Sequence, residues 1–195
     1  MKVNIGGQKG RDGFPEKGWK IVDIRKGSDY VVDIMSDKLP FDDSGVDAVY
    51  TSHTLEHIFP DRLDFVLGEV YRVLRHGGKI RVVVPDIDLA IKAYVDNNMT
   101  YLKDKRNPSK MEWVPKDPVC YLSSWFFTYK LKAEGSQRLI GGHVGVFNYS
   151  LLEQYLKNAQ FRGIEKSSYG KSDSLFTGCD FKRYKDCSLY VEATK

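Results

Sequence analysis

The sequence predicts an α/β fold built on a mostly parallel sheet, and three observations lead there. Short strand-like runs alternate with segments of helical periodicity, the pattern of repeated β-α-β units. The run Lys79 to Val84 is rich in β-branched residues and closes on Pro85, as a buried parallel strand would. The predicted strands also end on glycine, acid or hydroxyl residues, which a parallel sheet gathers along one edge. With 195 residues the chain is one domain by length and can remove roughly 70% of its unfolded surface from water.

Taken in order, Lys2 to Ile5 is a first strand that runs into Gly6-Gly7, with Gly10 and Gly13 following. Trp19 to Val22 ending in Asp23, Tyr30 to Val32 ending in Asp33, and Asp47 to Ser52 are three more. The six residues from Ile24 to Asp29 are too few for a helix. Leu63, Val66, Leu67, Val70, Tyr71, Val73 and Leu74 recur at helical spacing, with Asp61 as the expected cap, Arg75 and His76 at the cationic end and Gly77-Gly78 as the stop. Lys79 to Val84 is the fifth strand, and Asp86 or Asp88 caps a helix carrying Leu89, Ile91, Tyr94 and Val95. From 103 to 142 the periodicity fails among prolines, basic residues and aromatics, Trp113, Trp125, Phe126, Phe127 and Tyr129 included. This stretch reads as a lid-like, substrate-side insertion in a single domain spanning residues 1–195. Ser150-x-x-Glu153 predicts a capping box for a helix through Leu151, Leu152, Tyr155 and Leu156, and strands near Ile164 to Tyr169 and Ser188 to Ala193 end the chain.

Composition narrows the function. Hydrophobic residues at 42%, charged residues at 29%, 7 Pro and 17 Gly fit an ordinary globular protein and exclude collagen-like and disordered chains. No apolar run approaches the roughly 18 to 20 residues of a membrane span, and the first five residues run into glycines where a signal peptide would be apolar, so a cytoplasmic location is expected. Cys120, Cys179 and Cys187 form no CxxC pair and are expected as reduced thiols. A net charge of +4 from 30 basic and 26 acidic residues is too small and interleaved to argue for nucleic acid, and Asp104, Glu112 and Asp117 break up the basic residues of the 103–142 stretch, so a nucleic-acid substrate is not expected.

Glycines after the first strand let a ligand approach the backbone, and an acid ending the second can accept from both ribose hydroxyls. Gly6-Gly7 is not G-x-G-x-x-G and leaves little room for a helix N-terminus, so a pyrophosphate-bearing dinucleotide is disfavoured and a nucleoside ligand without phosphates preferred.

These residues resemble a known family. VNIGGQ resembles the first motif of class I S-adenosylmethionine-dependent methyltransferases, GWKIVDI their second-strand acid, and DIMSDKLPFDDSGVDAVYTSHTLEHI the most recognisable block of the small "type 11" group. RVLRHGGKIRVVVPD resembles the helix, glycine turn and fifth strand that follow. GGHVGVFNYSLLEQYLKNAQFRGIEKSSYG is similar to the end of members associated with glycan and polysaccharide modification. The resemblance implies a Rossmann-like, doubly wound sheet with trimmed early helices and S-adenosylmethionine as cofactor. It implies that Asn4, Gly6 and Gly7 face the amino acid part of the cofactor, that Asp23 holds the ribose hydroxyls, that Asp33 and Ile34 read the adenine, and that Ser52 and His53 line the side near the methyl group. The first motif departs from the family in lacking a full glycine series.

The expected reaction is O-methylation of a sugar or other small hydroxyl acceptor, with His53, His143 and Asp86 as candidate catalytic groups for the acceptor's proton. A small-molecule or glycan acceptor is the expected partner, and a glycosyltransferase is a further candidate. Two alternatives stand beside it. One is an inactive methyltransferase-fold interaction module. The other is a zinc-dependent hydrolase, because His53-Thr54-Leu55-Glu56-His57 is H-x-x-E-H. Pro60 shortens any helix bearing that motif and no downstream acid offers a third ligand, so no metal is assigned.

Overall fold

A computed structural model describes residues 1–10, 14–15, 17–106, 117–126 and 142–195. Seven strands form one sheet in the order β3-β2-β1-β4-β5-β7-β6. They are β1 (Lys2–Ile5), β2 (Trp19–Asp23), β3 (Tyr30–Val31), β4 (Val46–Ser52), β5 (Leu74–Pro85), β6 (Arg162–Ser167) and β7 (Ser188–Thr194). The first five strands run parallel, and β7 lies antiparallel between β5 and β6. Strand order reverses between β1 and β4, so the carboxyl ends of these two strands flank the switch point where open α/β sheets bind ligands. This is the Rossmann-like arrangement the sequence predicts.

The centre of the sheet is apolar on both faces. Val49, Ile80, Val82 and Val84 are buried on one face, and Ala48, Tyr50 and Val83 on the other. Two helices cover the first face: α1 (Leu63–Val73), through Val66, Leu67 and Val70, and the helix over Tyr149–Asn158, through Leu152 and Leu156. The second face is covered without a long helix, by the stretch between β6 and β7. Its 3-10 turns Ser174–Phe176 and Lys182–Tyr184 place Phe176 and Phe181 against Trp19, Phe14 and Tyr190. Arg81 points into this second layer, fully buried, and holds Asp180 (2.6 and 2.9 Å), Glu192 (2.6 Å) and the Ser168 carbonyl (3.0 Å). The guanidinium thus ties the helix-free layer to β5 and β7, and Lys79 on β5 adds a second link to Asp173 at 2.6 Å.

Three helices pack beside the sheet: α2 (Ile87–Val95), α3 (Met99–Arg106) and α4 (Pro118–Phe126), with α5 being the Tyr149–Asn158 helix. As expected, no helix joins β2 to β3.

Several local expectations are corrected. Asp61 lies in a 3-10 turn (Pro60–Arg62) and does not cap α1, whose first residue follows Arg62 with no side-chain cap. The helix stops at Val73 and the strand begins at Leu74, so Arg75 and His76 sit in an irregular stretch of β5 rather than at a helix end. Gly77 takes φ +73, and a Cβ on Gly78 would stand 2.8 Å from the Arg75 carbonyl, which is why the glycine pair ends this bulge. The cap of α5 is Asn148, accepting from the Leu151 amide at 3.0 Å, two residues ahead of the predicted Ser150 box. In α2 the buried face is Ile87, Ala90 and Ala93, because the neighbouring helices approach closely with Trp125 and Tyr121 and admit only small residues. Leu89, Ile91, Tyr94 and Val95 face outward. Of the insertion, α3 and α4 are ordered helices where the sequence shows no periodicity, and Trp113, Phe127 and Tyr129 lie outside the described residues. Trp125 is 2% exposed against Ile87, Ala90 and Cys187, so it packs the core.

Candidate active site

Of the predicted residues, Asn4, Gly6, Gly7, Ser52 and His53 lie at the ends of β1 and β4 that flank the switch point. Asn4 is buried beside the glycine turn, and its side chain limits Gly7: a Cβ there would lie 2.5 Å from Asn4 Nδ2. Gly6 takes φ +75, and a Cβ on it would fall 1.9 Å from Thr54 Oγ1. Thr54 in turn bonds the Ile5 and Ser52 carbonyls, both at 3.3 Å. The two glycines thus let the end of β1 and the turn after β4 press together, a stronger requirement than a tight turn alone.

Asp23 ends β2 next to this loop, nearly buried. Its carboxylate accepts from the Arg25 amide (2.8 Å), Nε (2.7 Å) and Nη2 (2.7 Å). Arg25 reaches on across the loop, with Nη2 3.4 Å from the Gly6 and Gly7 carbonyls and Nη1 3.4 Å from Gln8 Oε1. The bond to Asp23 raises the guanidinium further above its ordinary range. Asp33 closes the short β3 and organises a turn, its Oδ1 accepting from Met35 N at 3.2 Å, and Ile34 packs half-buried against the main core. At the end of β4 the hydroxyls of Thr51 and Ser52 are buried, that of Ser52 beside the Tyr50 hydroxyl.

Beyond Ser52 the chain turns sharply. His53 adopts a left-handed conformation (φ 51), which swings its ring flat onto Tyr184 with centroids 3.5 Å apart. Its Nε2 lies 2.8 Å from Ser188 Oγ and its Nδ1 3.2 Å from Glu56 Oε1. H-x-x-E-H forms no α-helix: only the 3-10 turn Leu55–His57 is present, so His53 and His57 do not share a helical face. The backbone carbonyl of Glu56 accepts from the amides of Val144 and Gly145, and this brings in His143, which is distant in sequence. Both His57 Nε2 and His143 Nε2 stand 3.9 Å from Glu56 Oε1.

Glu56 is 1% exposed, and the His53 ring approaches it off the line of a well-formed hydrogen bond, so neither carboxylate oxygen has such a partner among the described residues. Burial pushes this carboxyl up, but His53, then His57 and His143, outweigh burial and hold it below its ordinary value, hence ionised.

Asp86 caps α2, accepting from Asp88 N at 3.2 Å. Burial raises its carboxyl above the usual range. The structure thus brings His53 and His143 together around Glu56 and leaves Asp86 at the helix start. Sequence reasoning missed Arg25, Tyr184 and Ser188. Arg25 carried one signal, its position two residues after the strand-end acid. The other two come from the irregular layer and β7, where no motif marks them.

Comparisons with known proteins agree with this architecture. Residues 18–82, less than half of the chain, match the family model described as "Methyltransferase domain". Among solved structures, a SAM-dependent methyltransferase from Archaeoglobus fulgidus aligns over 100% of this chain and 85% of its own, with TM-score 0.55 and 14% identity. One from Methanosarcina mazei aligns over 100% and 91%, with TM-score 0.56 and 15% identity. The 1,6-didemethyltoxoflavin-N1-methyltransferase of Burkholderia thailandensis, solved with 1,6-didemethyltoxoflavin and S-adenosylhomocysteine bound, aligns over 100% and 70%, with TM-score 0.52 and 15% identity. Among curated proteins no sequence matches this chain. The fold is that of the Rossmann-like class I methyltransferases. Among the described residues no helix is long and apolar enough to cross a membrane.

Proposed function

We propose that the protein is an S-adenosylmethionine-dependent methyltransferase that methylates a hydroxyl of a sugar or other small acceptor. The observation that carries this reading is the convergence at the β1/β4 switch point of a side-chain-free loop, a strand-end acid and a strand end bearing hydroxyls. That donor set fits a nucleoside with an amino acid tail. Gly6 and Gly7 leave the backbone open to approach, with Asn4 beneath; Asp23 offers two oxygens for ribose hydroxyls; Asp33 and Ile34 border the adenine side; Ser52 and His53 border the methyl. When bound, the cofactor supplies an electrophilic methyl on a sulfonium.

For Asp23 to serve the ribose, Arg25 must give up its paired bonds. Its side chain is 46% exposed and can swing into water, and the incoming hydroxyls replace its N–H donors one for one. The acceptor's proton passes to His53. Glu56 beside Nδ1 favours the tautomer with that nitrogen protonated and stabilises the imidazolium formed on proton transfer, while Ser188 holds Nε2 until the acceptor's hydroxyl takes its place. Asp86, occupied as a cap, is left out of this step. The residues' further task is to exclude water and hold the acceptor oxygen about 3 Å from the methyl. The glycan preference rests on the resemblance of the segment after Gly141, and a glycosyltransferase partner, the single-domain reading with its insertion and a cytoplasmic site belong to the same proposal.

Calorimetric titration with S-adenosylhomocysteine, with NAD as control, tests the reading. Micromolar binding of the first alone is expected, and no binding by the wild-type protein or by Arg25→Ala overturns it.

A further inference from the structure

A carboxylate as buried as Glu56, with one off-line contact from His53 at 3.2 Å and no well-formed hydrogen bond among the described residues, is costly unless something positive completes it. Around Glu56 the structure places two imidazole nitrogens at equal distance, and ligand atoms of Glu56, His57 and His143 all lie within 4.8 Å of one another. Each ring is oriented in the same way. His57 Nδ1 lies 2.9 Å from the Gly142 carbonyl and His143 Nδ1 3.1 Å from the Trp125 carbonyl. A carbonyl only accepts, so in each ring Nδ1 carries the hydrogen and the lone pair of the neutral imidazole is on Nε2, the nitrogen nearer Glu56. Metal-binding histidines are typically held in this manner, by an outer hydrogen bond that fixes the tautomer.

The 3.9 Å gaps are too long for hydrogen bonds. An ion about 2.0–2.2 Å from each donor bridges them, and movements of roughly an ångström at the side-chain ends bring three such donors to tetrahedral spacing. We infer that Glu56, His57 and His143 bind a divalent cation of the zinc type, which clasps the segment starting at Gly142 to the turn after β4. Two imidazoles and one carboxylate suit a borderline cation better than magnesium or calcium, which favour oxygen ligands. Three protein donors leave a fourth position. His57, a third exposed, is the donor nearest solvent, whereas His143 and Glu56 are buried, so solvent would reach that position from the side of His57. His53, with Nδ1 near the same carboxylate, is the outer partner of Glu56. The site adjoins the cofactor cleft through His53, and it forms without the helix that H-x-x-E-H would need.

The test uses the full chain, stripped with chelator and titrated with zinc chloride by calorimetry and with cobalt chloride by visible absorption. About one equivalent of either ion is expected, with cobalt d–d bands of a low-coordinate nitrogen–oxygen site. Loss of an outer partner already costs about 10–100-fold in affinity, so His57→Gln and His143→Gln should each weaken zinc by about 100-fold or more. His76→Gln, at the far end of β5, should not. Metal-free melting curves report whether each variant folds. Should either variant fail to fold, the wild-type cobalt spectrum decides. No saturable zinc binding, thiolate charge-transfer bands from Cys179 or Cys187, or unchanged affinity in folded His57→Gln and His143→Gln overturns the site. Titration with S-adenosylhomocysteine on the same sample keeps this result separate from the methyltransferase reading.

Discussion

At Gly6 a methyl group decides whether two strand ends can meet. Gly6→Ala forces both a positive φ and a collision with Thr54; a loss of about 1–3 kcal/mol is expected, read by urea denaturation, together with weakened S-adenosylhomocysteine binding. Asp23→Ala should weaken the same ligand by a few kcal/mol at most, because charge-assisted hydrogen bonds of about 1.5–3 kcal/mol each are at stake. Arg25→Ala should act in the opposite direction, tightening binding, since Asp23 no longer has to exchange one set of donors for another. Unchanged affinity in both variants would remove Asp23 from the site. His53→Ala should reduce turnover more than cofactor affinity, and an effect confined to affinity would count against its role with the acceptor. Asp23 and His53 were legible because strand-end residues announce themselves by position. Arg25 was legible only in part, since nothing in a sequence says that a neighbouring cation folds back onto the acid it follows.

Among the elements, the helix-free layer is anchored by the buried Arg81 guanidinium beside the Lys79–Asp173 pair. Removing the guanidinium leaves Asp180, 4% exposed, without its cation, so Arg81→Ala should destabilise the fold by about 3–5 kcal/mol in chemical denaturation. A second element-level test concerns α1 and the stretch before β4. Glu69 accepts from Arg72 Nε and Nη2 at 2.8 Å each and from the Leu39 amide at 2.9 Å. Arg72, against opposing burial, and then the Leu39 amide hold its carboxyl below the ordinary value. Its contribution to stability is therefore full above the unfolded carboxyl's pKa of about 4.3 and lost as pH falls through the lower folded value. Glu69→Gln should flatten the stability profile between about pH 5 and pH 3, and an unaltered slope would show that other carboxylates govern it. Periodicity made α1 and the five parallel strands readable. It failed for α3 and α4, because helices packed against other helices at the sheet's side bury short, mixed surfaces that leave no 3.6-residue stripe. It misdirected α2 for a related reason: the largest apolar residues there face outward and the alanines face in.

For the molecule as a whole, strand order and carboxyl-end geometry put the switch point where the sequence led one to look, whereas the Glu56 cluster depends on a histidine brought from another part of the chain by backbone bonds no motif encodes. The same long reach governs β7. Arg81 on β5 and Glu192 on β7 are directly paired yet 111 residues apart. On a ribosome adding about 5–20 residues per second, that separation amounts to roughly 5–20 s of synthesis. Throughout this interval the β5 edge, with Val82, Val83 and Val84 beside it, has a strand partner only on the β4 side. The nascent protein is thus a template for stray strands until β7 emerges, and its yield in a cell should depend on holdase chaperones more than the finished fold's stability would suggest.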